Sequence, residues 1–168
     1  MSQVTSLLVF LKLLELHNAG FLHGDVKPGN FGFTASGDIK VFDLGFATAL
    51  TPGELHVGGS PGYFAPESFR WENYLIENRD GTYSYKSDPS TLYDPGKSDV
   101  YSLAMSIYRK RYDNHGTQEI GMKAESNFSN LATGDALDQL LKSALERDPA
   151  KRIDMKRFEK ELNILESQ

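Results

Sequence analysis

The stretch His23-Gly24-Asp25-Val26-Lys27-Pro28-Gly29-Asn30 puts an imidazole, a carboxylate, an ammonium and a carboxamide within eight residues, tied down by Gly24, Pro28 and Gly29. Such a run adds little to a core, but catalytic side chains concentrate on loops held by a rigid scaffold. Asp25 can orient a hydroxyl or accept its proton, and Asn30 offers a neutral oxygen to a hard cation. Lys27, between them, can neutralise an anion. Thirteen residues beyond Asn30, Asp43 ends an apolar run and is followed by Leu44 and Gly45. A lone Asp near Gly more often caps a turn, but two carboxylates and an amide at this joint spacing suggest magnesium and phosphate.

Several elements must position these groups. From Val4 to His17, apolar Leu7, Leu8, Phe10, Leu11, Leu14 and Leu16 are spaced for a helix buried around most of its girth, more a core element than a membrane or partner helix. Asn18-Ala19-Gly20 stops it, with Gly20 suited to a left-handed cap. Phe31 to Thr34 and Asp38 to Phe42 read as short strands joined by a turn at Ala35-Ser36-Gly37. This hairpin is expected to hold the polar loop and Asp43 at its opposite ends, facing one cleft. Phe46 to Tyr63, small and glycine-rich, reads as one long mobile loop, and loops of that length are usually functional.

Ala65-Pro66-Glu67 begins a short helix, with Pro66 tolerated near its start. Residues from about 72 to 96 read as a surface insertion with no regular core pattern, more a variable loop than a binding element of its tyrosines Tyr74, Tyr83, Tyr85 and Tyr93. Ser98 to Tyr108 is a largely buried helix running into Arg109-Lys110-Arg111. Tyr112 to Thr133 is irregular again. Asp135 to Leu145 is amphipathic and closes at Arg147-Asp148-Pro149. Asp154 caps a last helix from Met155 to about Leu165, with Glu159-Lys160-Glu161 on its solvated face. His17, His56 and His115 show no ligand spacing and are assigned to surface or capping positions.

Composition narrows the class. The 168 residues suffice for one domain, 1–168, burying roughly 70% of its unfolded surface. A net charge of −5 offers no basic footprint for nucleic acid. With no cysteine there is neither a disulfide frame nor a thiolate metal site. The N-terminal apolar segment is too short to span a bilayer and lacks the marks of a signal peptide, so no membrane role and an intracellular, cytoplasmic location are expected.

The polar stretch resembles the catalytic loop of protein kinases, H-R-D-x-x-x-x-N. Asp43-Leu44-Gly45 is similar to their D-F-G element, and Ala65-Pro66-Glu67 matches A-P-E. The helix from Lys97-Ser98-Asp99 resembles the central helix of the kinase C-terminal lobe, and Arg147-Asp148-Pro149 with Arg152 resembles the stretch before its final helices. Each is weak alone, but five in the family's order are hard to obtain by accident.

The resemblance implies a mainly α (α+β) fold, a C-terminal kinase lobe with a small β-hairpin beside the catalytic loop. It implies Asp25 as catalytic base, Lys27 on the transferring phosphate, and Asn30 and Asp43 on Mg2+ that bridges the phosphates of ATP. Gly45 belongs to the D-x-G element. Glu67 would pair with Arg152, Asp99 would hold the catalytic-loop backbone, and His23 would pack against the D-x-G side chain, here Leu44. The arginine that in the family meets a phosphate on the activation loop is replaced by Gly24, so a phosphate at Thr48, Thr51 or Ser60 would lack its usual partner.

Only 22 residues precede His23, so the N-terminal lobe, with its glycine-rich loop and lysine, is expected to be absent. Losing several such electrostatic contacts, each worth about 3 kcal/mol or more, would slow transfer severely unless another chain replaced them. The expected function is serine/threonine protein kinase activity on a protein substrate. The alternative is a non-catalytic kinase-like binding module whose exposed upper face recruits a partner chain. A small-molecule phosphotransferase ranks third, because A-P-E belongs to the protein-directed branch.

Overall fold

The first helix, α1 (Gln3–Asn18), turns Val9, Phe10 and Leu13 inward and keeps the Lys12–Glu15 pair, 2.7 Å apart, toward solvent. It stops where Gly20 adopts φ +85°, which lets the chain reverse into β1 (Phe21–Leu22). The structure, a computed structural model, describes residues 3–69, 75–77, 79, 83–85, 94–112, 128, 131 and 134–166.

After β1 the polar stretch runs through a 3-10 turn at Pro28–Asn30 into β2 (Phe31–Phe33), which pairs antiparallel with β3 (Ile39–Val41). Phe31 lies opposite Val41, and the Phe42 amide donates to the Asn30 carbonyl at 2.8 Å. The hairpin therefore brings Asn30 and Asp43 to the same end. The expectation of opposite ends is corrected here, because antiparallel pairing necessarily places the entry of one strand beside the exit of the next.

The segment from Phe46 to Tyr63 is more anchored than a mobile loop. Its β4 (Thr48–Ala49) pairs with β1, and the Leu50 amide donates to the Gly20 carbonyl at 2.8 Å. α2 (Pro66–Phe69) follows. Within the expected insertion, β5 (Leu75–Glu77) pairs with β6 (Tyr83–Tyr85), a hairpin the composition did not announce. Tyr74, Tyr93 and His115, and the stretch from 113 to 133 apart from Phe128 and Leu131, lie outside the described residues.

The core forms around α3 (Gly96–Tyr112), whose Val100, Leu103, Ala104, Met105 and Ile107 are all buried. Ser102 and Ser106 donate to carbonyls four residues back, at 3.0 and 2.9 Å, so small hydroxyls enter the interior without leaving unpaired donors. Against α3 pack α1, α4 (Ala136–Ala144) and α5 (Met155–Glu166). Phe10 of α1 meets Phe158 of α5 with ring centroids 5.6 Å apart. α4 opens with a reciprocal cap in which Asp135 and Asp138 each accept from the other's backbone amide.

Candidate active site

A carboxylate from the core fixes the polar loop. Asp99, buried near the start of α3, accepts the His23 amide at 2.8 Å and the Gly24 amide at 3.0 Å. His17, at the end of α1, reaches the same carboxylate through Nε2 at 2.8 Å. His17 is thus an interior bridge rather than the surface or capping residue expected. Its partner lies 82 positions away, so local spacing carried no signal.

On this base the loop folds inward. The Asp25 amide donates to Nδ1 of the buried His23 ring at 3.2 Å, which leaves the ring proton on Nε2. His23 makes its ring contact with Phe31, 5.8 Å between centroids. Leu44 goes elsewhere. It is 53% exposed and lines a groove with Leu16, Ala19 and Val41, because φ +54° at Asp43 turns the chain away. Asp is among the few residues that tolerate this left-handed geometry, and its Oδ1 accepts the Gly45 amide at 3.3 Å.

Asp25 is 3% exposed. Its Oδ2 accepts from Lys27 Nζ at 2.8 Å and from Asn30 Nδ2 at 3.1 Å, while Oδ1 is buried with no hydrogen-bond partner. Burial pushes the carboxyl up, but the hydrogen bonds from Lys27 and Asn30, the neighbouring Ser60 hydroxyl and the Lys27 charge outweigh it and hold Asp25 below its ordinary 3.8. Lys27 also donates to the Ser60 hydroxyl, which ties the end of the 46–62 segment to the loop. Asn30 Nδ2 donates in addition to the Asp25 carbonyl at 2.8 Å, which leaves the amide oxygen as its ligand atom.

Ser60 joins this cluster although its neighbours Lys27 and Asp25 come from 33 and 35 positions earlier. His56, expected at a surface or capping position, is 7% exposed and directs Nε2 to the Gly24 carbonyl at 3.1 Å. The one hint of it in the sequence was the missing side chain at position 24.

The base of the site is braced by a buried ion pair. Arg152 grips Glu67 of α2 through two bonds of 2.6 and 2.9 Å and also donates to the carbonyls of Glu146, Lys97 and Arg147. Its guanidinium lies over Tyr101, 4.8 Å from the ring centre. Arg109 of α3 stacks similarly on Tyr63, at 4.8 Å.

The nine residues expected from the sequence fall into three groups. Asp25, Lys27 and Asn30 form one hydrogen-bonded cluster, with Asp43 and Gly45 joined to it across the hairpin end. His23 and Asp99 support the loop from within, while Glu67 and Arg152 form a separate brace. Among the described residues no group of three or more His, Cys, Asp or Glu side chains gathers as a metal site. None of their helices is long and apolar enough to cross a membrane.

The protein kinase domain family matches residues 5–162. Serine/threonine-protein kinase stk11 of Xenopus laevis is 32% identical over 158 residues, covering 85% of this chain and 32% of the relative. STK11 of Homo sapiens is 30% identical over 156 residues, with 85% and 32% covered. The probable serine/threonine-protein kinase CPE1738 of Clostridium perfringens is 28% identical over 173 residues, with 91% and 23% covered. The chain thus spans a third or less of the length of these relatives. Among solved structures, the ROP18 kinase domain in complex with AMP-PNP and sucrose superposes with a TM-score of 0.63 at 20% identity, covering 98% of this chain and 41% of that one. With the family matched over nearly its whole length, the chain belongs to the protein kinase domain family.

Proposed function

We propose that this chain carries the catalytic face of a serine/threonine protein kinase, moving the ATP γ-phosphate to a protein hydroxyl. The observation behind this reading is Asp25, a buried carboxylate held ionised on one oxygen while the other makes no hydrogen bond. Leaving a buried acceptor unmet costs roughly 1–3 kcal/mol, and an incoming hydroxyl would satisfy it. Asp25 then orients that hydroxyl and takes its proton as the oxygen attacks.

Asn30 and Asp43 suit magnesium, since both offer oxygen to a hard cation and the hairpin end sets them side by side. Bound there, magnesium would neutralise charge on the phosphates. Two protein ligands are few for a cation, which fits one that draws its remaining ligands from phosphate and water. Lys27 keeps the proton-accepting carboxylate anionic and supplies positive charge beside the transferring group. Ser60 links that lysine to the segment on which an acceptor protein would lie.

The test is transfer of labelled γ-phosphate to a generic protein acceptor by the purified chain beside Asp25→Ala. Transfer that disappears in the variant, with its circular dichroism unchanged, is expected; equal transfer by both would overturn the assignment.

A second reading rests on exposed apolar side chains of the β2–β3 hairpin and the residues that follow it. Phe33, Phe42, Leu44 and Phe46 are 54, 52, 53 and 42% exposed. Exposed apolar side chains of this size fit surfaces that a partner chain covers. As a pure binding module the protein would transfer no phosphate with any divalent metal and would form a stable complex with a second protein.

A further inference from the structure

We infer that His56 is a positioning residue for this site, keying the 46–62 segment onto the Asp25 loop through a seat that exists because residue 24 has no Cβ. The segment has only Thr48 and Ala49 in a strand, and beyond Leu50 the Gly58 amide donates to the Ser68 carbonyl at 3.3 Å, so side chains must share in holding the remainder. Its start is tied by the Leu50 amide to the Gly20 carbonyl, and its end by Ser60 to Lys27. Between these ties Pro52, Gly53, Glu54 and Val57 face solvent, and His56 is the buried side chain.

The seat is built from both sides. Gly24 adopts φ +76°, and a Cβ there would lie 2.5 Å from the His56 ring and 2.5 Å from the Phe46 carbonyl oxygen. The ring therefore occupies the volume a side chain at 24 would need. Gly59, at φ +107°, passes so close that its own Cβ would come within 2.9 Å of the Gly24 carbonyl oxygen. That one carbonyl receives the imidazole and faces the bare backbone at 59. The Gly24 amide is already held by Asp99. The peptide units just before Asp25 are thus pinned from the core by a carboxylate and from the 46–62 segment by a histidine. His56 acts on the chemistry only through Gly24, and the functional half of this inference rests on Asp25 being the base.

Hydrogen exchange of the full chain, read by mass spectrometry over 46–62 and over α3, tests the seat. His56→Ala should speed exchange in 46–62 by about tenfold or more while α3 is unchanged, as for a local opening. Unchanged exchange in 46–62 would overturn the proposal, as would an equal rise throughout the chain. His56→Gln, which keeps an N–H donor, should restore most of the protection, and a Gln variant as open as Ala would refute the hydrogen bond. Gly24→Ala should open the same segment, and the double variant should open it no further than the worse single; additive effects would mean that the two residues share no seat. Where transfer is measurable, His56→Ala should raise the KM for the acceptor several-fold and leave that for ATP unchanged, the reverse pattern counting against it. Exchange reports on the seat whether or not the chain transfers phosphate, so a failure here is distinct from a failure of the kinase reading.

Discussion

Removing Arg152 gives the sharpest test of how the site is braced. Arg152 and Glu67 are both fully buried and share two short bonds, and the guanidinium also satisfies three carbonyls. Arg152→Met fills a similar volume but strips Glu67 of its guanidinium and leaves those carbonyls without this donor. Breaking a buried pair from one side costs about 3–5 kcal/mol. At the usual unfolding entropy per residue, that lowers the Tm of a chain of this size by roughly 8–14 °C. Urea and thermal unfolding followed by circular dichroism would measure both. The double variant Glu67→Leu/Arg152→Met should lose less than either single, because an apolar pair in place of a buried ion pair is often neutral. A single variant costing under about 1 kcal/mol, or a double whose loss is the sum of the singles, would refute the reasoning.

Two further outcomes are expected. Folding holds Asp25 below its ordinary 3.8, so its ionised form stabilises the fold fully above about pH 3.8, and that contribution is lost as pH falls through the lower folded value. Asp25→Asn should flatten this part of the stability profile, measured by urea unfolding between neutral and acidic pH, and unchanged curvature would count against it. Asp135→Ala removes the N-cap of α4 and should cost about 1 kcal/mol in the same assay, with Asp138→Ala partly non-additive because the two residues cap each other.

What was legible in the sequence followed from local physics. α1, the β2–β3 hairpin, α4 and α5 each carried their period and their punctuation, and Gly20 and Asp154 stand at the expected ends. The family motifs then named Asp25, Lys27, Asn30 and Asp43; the first three share hydrogen bonds, and Asp43 follows the strand end that pairs with Asn30. What escaped depends on contacts distant in the chain. His17 and His56 look like any surface histidine until Asp99 and the Gly24 carbonyl arrive beside them. Leu44 is expected against His23, but the left-handed turn at Asp43 sends it to the surface. The β5–β6 hairpin lies in a stretch whose composition resembles any loop.

The grip of Asp99 on the His23 and Gly24 amides spans 76 and 75 residues of sequence. On a ribosome adding about 5–20 residues per second, roughly 4–15 s pass between the appearance of the loop and that of its anchor. Throughout that interval the nascent chain holds Asp25, Lys27, Asn30 and Asp43 yet has no means of arranging them. Loop closure over so long a span is also entropically unfavourable until α3 packs. The site therefore matures late, and a nascent protein stalled before residue 99 exposes its polar loop without the geometry for phosphate chemistry.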